Sequence, residues 1–176
     1  LVRLLLAHPH VEITQATSER LAGRPVTLAH PNLRGRTDLR FSSLSTLAPC
    51  DVLFLALPHG ATAKQFDVFA RLAPRIIDLS ADFRLKDPMA YEKWYGTAHP
   101  RPDLLREFVY GIPELHRAEI AAARYVATAG CNATASILGL HPLYAAGVVD
   151  AGRTVAARDA VEALVHLDPQ ALDRHF

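Results

Sequence analysis

Cysteine is scarce in this chain: two residues in 176, Cys50 and Cys131, in unrelated surroundings. That is too few and too scattered for a disulfide framework, and it fits a reducing cytoplasm. Long apolar runs are missing as well. The longest, Leu4 to Ala7 and Val52 to Leu57, fall far short of the roughly 20 residues that a membrane-spanning helix needs. No basic segment followed by an apolar stretch and a small-residue cleavage site opens the chain, so no secretory signal is visible. Net charge is nearly absent, since 19 basic against 18 acidic side chains leave +1. No overall field draws in nucleic acid or anionic lipid, and neither a nucleic-acid partner nor a membrane partner is expected. Metal-ligand spacing is lacking too: the 9 histidines include no His-Glu-x-x-His and no Cys-x-x-Cys occurs, so no metal site is expected. All 9 glycines are isolated, which leaves no G-x-G-x-x-G and no Walker loop to cradle a phosphate. In a dinucleotide-binding unit that loop lies between the first strand and the first helix, and its expected place is ahead of Leu1.

What is present is a globular balance. Hydrophobic residues at 50%, charged residues at 21% and 12 dispersed prolines exclude a wholly disordered chain. The length predicts roughly one domain that buries about 70% of its unfolded surface. The opening Leu1 to Pro9 reads as the last turns of an amphipathic helix halted by proline, which predicts that an earlier part of the domain precedes it. Val11 to Thr17 alternates apolar and polar with β-branched residues and predicts a strand; Asp51 to Leu57 is a second, whose continuous apolar run fits a strand covered on both faces. Pro58, His59 and Gly60 break it, and helical spacing predicts a helix over Ala61 to Leu72. Strands are predicted at Arg75 to Leu79 and Tyr125 to Ala129, the latter running through Gly130 and Cys131 into an apolar helix over Ala133 to Tyr144. Strand and helix in this alternation predict an α/β fold, a doubly wound, mostly parallel sheet. The stretch from Ala81 to Ala118 is rich in Pro, Tyr and charge and is expected to hold short helices and functional loops.

Cys131 is the strongest candidate for chemistry. It follows a strand exit and Gly130 and opens a predicted helix, where N–H groups and the macrodipole favour a thiolate and could bind an oxyanion. A free cysteine is also often a small buried hydrophobe, so position alone leaves both readings open. Cys50 lacks such a setting and reads as structural. Asp78, Ser80, Asp82 and Arg84 crowd another strand exit; Arg84 offers a planar fork for carboxylate or phosphate, while a solvated Asx turn is the plainer alternative. His59 tops a strand where ligands bind, and Tyr110 to Glu114 reads either as a substrate-orienting segment or as a turn with an exposed acid.

Five ordered segments then carry a resemblance: His30-Pro31-Asn32-Leu33-Arg34-Gly35, Leu55 to Gly60, Asp78 to Arg84, Tyr110 to Leu115, and Gly130-Cys131-Asn132-Ala133-Thr134-Ala135. The chain resembles the N-acetyl-γ-glutamyl-phosphate reductases of arginine synthesis and their lysine-pathway relatives. The Asn132-Ala133 pair and the His30 to Gly35 segment look more like the lysine branch, whose members reduce an aminoadipyl phosphate tethered to an amino-group carrier protein. The resemblance implies a Rossmann-like fold and an NADPH-dependent oxidoreductase in which Cys131 attacks an acyl phosphate and holds a thioester that hydride converts to a semialdehyde. It implies that Asn132 and Arg84 bind substrate, that Ser18 and Arg20 bind the 2′-phosphate of NADP, and that Pro58, His59, Gly60 and Ser80 contribute to the cofactor site. Glu19 stands where a basic residue is often found in close relatives. Partners would be a small acyl phosphate or an acidic carrier protein, and the full-length form would be a homo-oligomer. A first strand and glycine loop, a histidine base, and a larger catalytic and dimerisation domain are implied but not recognisable. Residues 1–149 are accordingly read as a partial NAD(P)-binding domain and 150–176 as an atypical tail, expected from a truncated or frame-shifted reading frame, in which His166 is not given the role of the base. A catalytically silent module and a cysteine-dependent thiol hydrolase are the alternatives.

Overall fold

The computed structural model describes residues 1–149; the tail at 150–176, with His166, lies outside the described residues. The described residues form two compact units, one over Leu1–Cys50 and one that starts at Asp51.

In the first unit, helix α1 (Val2–Leu5) ends short of Pro9, as the proline requires. Strand β1 (Ala16–Thr17) is followed by helix α2 (Val26–Ala29), a 3-10 turn at Pro31–Leu33, strand β2 (Phe41–Ser42) and a second 3-10 turn at Leu44–Thr46. β1 and β2 pair in parallel, Ala16 with Phe41 and Thr17 with Ser42. The strand expected over Val11 to Thr17 therefore shrinks to its last two residues. Alternation and β-branching give propensity, but a ladder needs a neighbour in register, and only these two residues have one. Val26 and Leu33 are fully buried.

The second unit holds a four-stranded sheet, all parallel, formed by β3 (Val52–Leu55), β4 (Arg75–Asp78), β5 (Phe108–Gly111) and β6 (Tyr125–Thr128) in the order β3-β4-β6-β5. Helix α3 (Ala61–Leu72) joins β3 to β4. Helix α4 (Pro88–Tyr95) lies between β4 and β5, α5 (Pro113–Ala122) between β5 and β6, and α6 (Cys131–Ala145) follows β6. The chain steps from β4 past one position to β5 and returns to fill the gap with β6. Parallel strands bring all carboxyl ends to one edge of the sheet, where open α/β proteins bind ligands.

Packing explains the order. Register places Leu53, Ile76, Tyr125 and Phe108 side by side across the sheet, and residues so aligned share a face. All four are buried. Phe66 of α3 reaches this face, its ring 5.0 Å from Tyr125 and 5.5 Å from Phe108. Phe83 stacks on Phe108 at 4.0 Å with rings only 4° apart, which seats the segment after β4 on the hydrophobic core. The other face is less covered: β3 stands at the sheet edge, and Val52 is 41% exposed while Phe54 is half-buried. The expectation of a strand covered on both faces is thus not met, because an apolar run records the capacity for burial and not which neighbours supply it.

Candidate active site at the carboxyl ends of the strands

The exit from β4 is a closed hydrogen-bond network. Asp78 is completely buried; its carboxylate accepts the Ser80 hydroxyl at 2.6 Å, the Ser80 amide at 3.1 Å and the Thr62 hydroxyl at 3.1 Å. Desolvation pushes the Asp78 carboxyl above the usual carboxylate range, against the pull of those bonds. Ser80 in turn accepts the Asp82 amide at 3.1 Å. Ser80, expected at the cofactor site, is therefore turned inward and bonded within the loop. The Asx turn is there, in the Ser80 amide bond to Asp78, but it is buried and not solvated.

Asp82 is the centre of the arrangement and is also completely buried. Its carboxylate accepts the Gly60 amide at 2.6 Å and the Ala63 amide at 2.9 Å, and lies 2.8 Å from Nδ1 of His59. It thereby caps α3, whose N-cap Gly60 sits at φ +81°, a left-handed conformation that favours glycine. The two amides bonded to Asp82 at the start of α3 are consequently not available to a phosphate. The backbone carbonyl of Asp82 accepts His99 Nε2 at 2.9 Å, while His99 Nδ1 accepts the Arg101 amide at 3.0 Å. That pair of bonds suits neutral imidazole, and burial lowers the proton affinity of His99 below the ordinary histidine value.

His59, at the exit of β3, is held on three sides: by Asp82, by the Tyr91 hydroxyl 3.3 Å from Nε2, and by the Tyr95 ring stacked at 4.4 Å. Desolvation, then the nearby Asp82 carboxylate, pushes the Tyr91 phenol up to about 12, so it remains a hydroxyl at neutral pH. Pro58 beside it is exposed.

Arg84 spans two strand exits. Its Nε donates to the Thr128 carbonyl at the end of β6 at 2.8 Å, and its Nη2 donates to the Leu79 carbonyl after β4 at 3.0 Å. Nη1 lies 3.1 Å from where a Cβ on residue 130 would stand, so Gly130 allows the guanidinium to approach the backbone closely. No carboxylate among the described residues neutralises it. Cys131 is the first residue of the 15-residue helix α6, with Gly130 as N-cap, and is exposed. Its thiol makes one long contact, 3.9 Å to the Oδ1 of Asn132, which is also exposed. α6 begins two residues before the predicted Ala133, which puts both residues in its first turn.

Ser18 and Arg20 belong to the first unit, just past β1. Ser18 is half-buried with its amide bonded to the Ser42 carbonyl at 2.9 Å, and Arg20 is exposed. The Glu19 carboxylate accepts the Leu44 amide at 2.6 Å, which engages the acid in a local cap.

Residues 1–123 match the family described as semialdehyde dehydrogenase, NAD binding domain. The chain belongs to that family. The chain is also 59% identical, over 150 residues, to a putative LysW-L-2-aminoadipate 6-phosphate reductase of Thermomicrobium roseum, an alignment covering 85% of this chain and 43% of that protein. It is 51% identical over 148 residues to the LysW-L-2-aminoadipate 6-phosphate reductase of Deinococcus radiodurans, covering 84% and 42%. A LysW-L-2-aminoadipate/LysW-L-glutamate phosphate reductase of Sulfurisphaera tokodaii is 45% identical over 159 residues, covering 89% and 46%. The chain thus spans less than half the length of these relatives, and Cys131 lies beyond the residues that define the family match.

As a member of this family the domain binds a nicotinamide dinucleotide, and its residues fit such a ligand. The strand exits of the second unit supply His59 and a charged Arg84 at the edge where dinucleotides sit. Tyr91, Tyr95 and His99, which complete this edge, escaped the sequence reading. The Asp87-Pro88 pair that caps α4, with Asp87 accepting the Met89 amide at 3.0 Å, is the signal that could have located the helix carrying both tyrosines.

Proposed function

We propose that this domain serves an NADPH-dependent reductase that converts an acyl phosphate to a semialdehyde through a thioester on Cys131. The observation that carries this reading is the place of Cys131: an exposed sulfur on the first residue of α6, at the exit of β6. The Cys131 thiolate would attack the acyl carbon; a C–S bond forms, the C–O bond to phosphorus breaks, and phosphate leaves with the electron pair. First-turn amides of α6 would hold the oxyanion of the tetrahedral intermediate. Arg84, fixed by two carbonyls with its remaining N–H groups against Gly130, would take the departing phosphate, and Asn132 would orient the acyl carbonyl. Bound NADPH supplies the hydride that replaces sulfur on the acyl carbon. Ser18 and Arg20 would receive its 2′-phosphate, Glu19 being engaged by Leu44, while Pro58, His59 and Gly60 line its path and Ser80 shapes that loop from within.

The names of the relatives favour a carrier-bound substrate, a LysW-linked aminoadipyl phosphate of lysine synthesis; the glutamyl counterpart of arginine synthesis is the second substrate this chemistry accepts. Scarce cysteine supports a cytoplasmic setting. Incubation with acetyl phosphate tests the nucleophile: phosphate release and one acyl group on Cys131 by peptide mass spectrometry are expected, and both vanish in Cys131→Ser. Equal acylation of the Cys131→Ser chain overturns the proposal. Steady turnover with no change in nicotinamide absorbance when NADPH is added would mark a thiol hydrolase instead.

A further inference from the structure

Tyr110 stands near the carboxyl end of β5 with 8% of its surface exposed, and its phenol has no hydrogen-bond partner among the described residues. A buried hydroxyl left without a partner costs free energy, so a fold that keeps one calls for a reason. Tyr91, the other buried phenol at this edge of the sheet, has its partner in His59. Desolvation pushes the Tyr110 phenol above the ordinary tyrosine range, against the pull of the Arg84 guanidinium. It therefore keeps its proton at neutral pH and can donate it to a hydrogen bond.

Two sets of contacts bring that phenol and Arg84 to one place. Tyr110 lies beside Ala127 of β6 in register and clusters with Ala133 and Ile137 of α6. Arg84 donates from Nε to the carbonyl of Thr128, the next residue of β6, and its Nη1 lies 3.1 Å from where a Cβ on residue 130 would stand. Both side chains thus border the start of α6, the helix that opens with Cys131. Nη1, like the phenol, has no acceptor among the described residues. A guanidinium and a phenol that both lack acceptors are matched by an anion with several oxygens.

We propose that Tyr110 is a substrate-contacting residue that donates its O–H to the phosphate group of the acyl phosphate, beside the guanidinium of Arg84. This rests on the acyl-phosphate reading above and deepens it, since that reading gives the phosphate a cation and Tyr110 adds a neutral donor that fixes one more of its oxygens. Phosphate suits the pair better than a carboxylate does. After a guanidinium has taken a bidentate pair of oxygens, a phosphate has an oxygen left for the phenol and a carboxylate has none. The phenol acts as a donor and not as a general acid, because it holds its proton and phosphate leaves without needing it.

Tyr110→Phe removes only the hydroxyl. Calorimetric titration of the full chain with inorganic phosphate, and acylation of Cys131 across a range of acetyl phosphate concentrations, read its effect. The phosphate Kd and the acetyl phosphate concentration at half-maximal rate are each expected to rise about tenfold in Tyr110→Phe, the scale of one hydrogen bond to a charged group. Without phosphate, the urea midpoint of the variant should be no lower than that of the parent, since no bond within the fold is lost. A lower midpoint would give the hydroxyl a structural partner and overturn the inference. Equal constants in two chains that are both acylated overturn it too, and leave the thioester reading standing. Weaker phosphate binding in Tyr110→Phe, with neither chain acylated, keeps the subsite and overturns the thioester reading. A wild-type chain that neither binds phosphate nor is acylated overturns both.

Discussion

The exits of β4 and β6 lie next to each other in the sheet and are built on opposite plans. After β4, every polar side chain from Asp78 to Arg84 is bonded inward: Asp78 to Ser80 and Thr62, Asp82 to α3 and His59, Arg84 to two carbonyls. After β6, Cys131 and Asn132 are exposed and share one long contact. Buried polar groups must be satisfied or they are costly, so Asp78, Ser80 and Asp82 are scaffold. An exposed, weakly bonded thiol can meet a ligand without first giving up a partner. The difference separates side chains bonded into the fold from side chains left open to solvent, although both sets look equally polar in the sequence.

Removing the hub of the β4 exit should have the largest effect on stability. Asp82→Ala leaves two amides and His59 without their acceptor, and a loss of about 3 kcal/mol is expected in urea unfolding, the upper range for leaving buried donors of a carboxylate unsatisfied. A loss below about 1 kcal/mol, within the range of an ordinary neutral hydrogen bond, would mean that the network is not the scaffold described. Gly130→Ala tests the seam between the two exits. Its Cβ would meet Arg84 Nη1 at 3.1 Å, so the guanidinium must shift, and a loss of about 1 kcal/mol should accompany slower acylation of Cys131. Unchanged acylation kinetics would separate Arg84 from the chemistry.

A smaller effect should come from pH. His99 is buried with both nitrogens bonded as neutral imidazole, and burial lowers its proton affinity relative to the unfolded chain. As pH falls through the unfolded histidine value of about 6.5, the unfolded chain takes up a proton that the folded chain resists, so stability declines below that pH and is retained above it. Thermal unfolding between pH 7 and 5.5 should show that decline, and His99→Gln should flatten it. At the β6 exit the expectation is no effect: Cys131→Ala and Asn132→Ala should each stay within about 0.5 kcal/mol of the parent, as exposed side chains do. A large loss at either position would erase the contrast between the bonded exit and the open one.

Much of the second unit was legible locally. α3 spans Ala61–Leu72 as its apolar spacing predicts, and β4 and β6 fall within a residue of their expected ends. β5 was not legible: Phe108–Gly111 is four residues in a stretch crowded with proline and charge, and it is a strand because it pairs with β6. The position of Cys131 at a helix start could be read from Gly130 and the apolar run beyond it, whereas its exposure could not. Asp82 was visible only as one acid among several, since its partners Gly60 and Ala63 stand 22 and 19 positions away in the chain.

Local rules therefore determined which segments become strands and helices and which residues stand at their ends, because hydrophobic spacing and proline and glycine breaks act within a few residues. Tertiary structure decided which of those end residues meet. Arg84 reaches the Thr128 carbonyl across 44 positions only because β6 inserts between β4 and β5, a choice made by the packing of Phe66, Phe83, Phe108 and Tyr125. Side-chain hydrogen bonds are short and directional, so their partners follow from the order of strands in the sheet and not from their order in the chain.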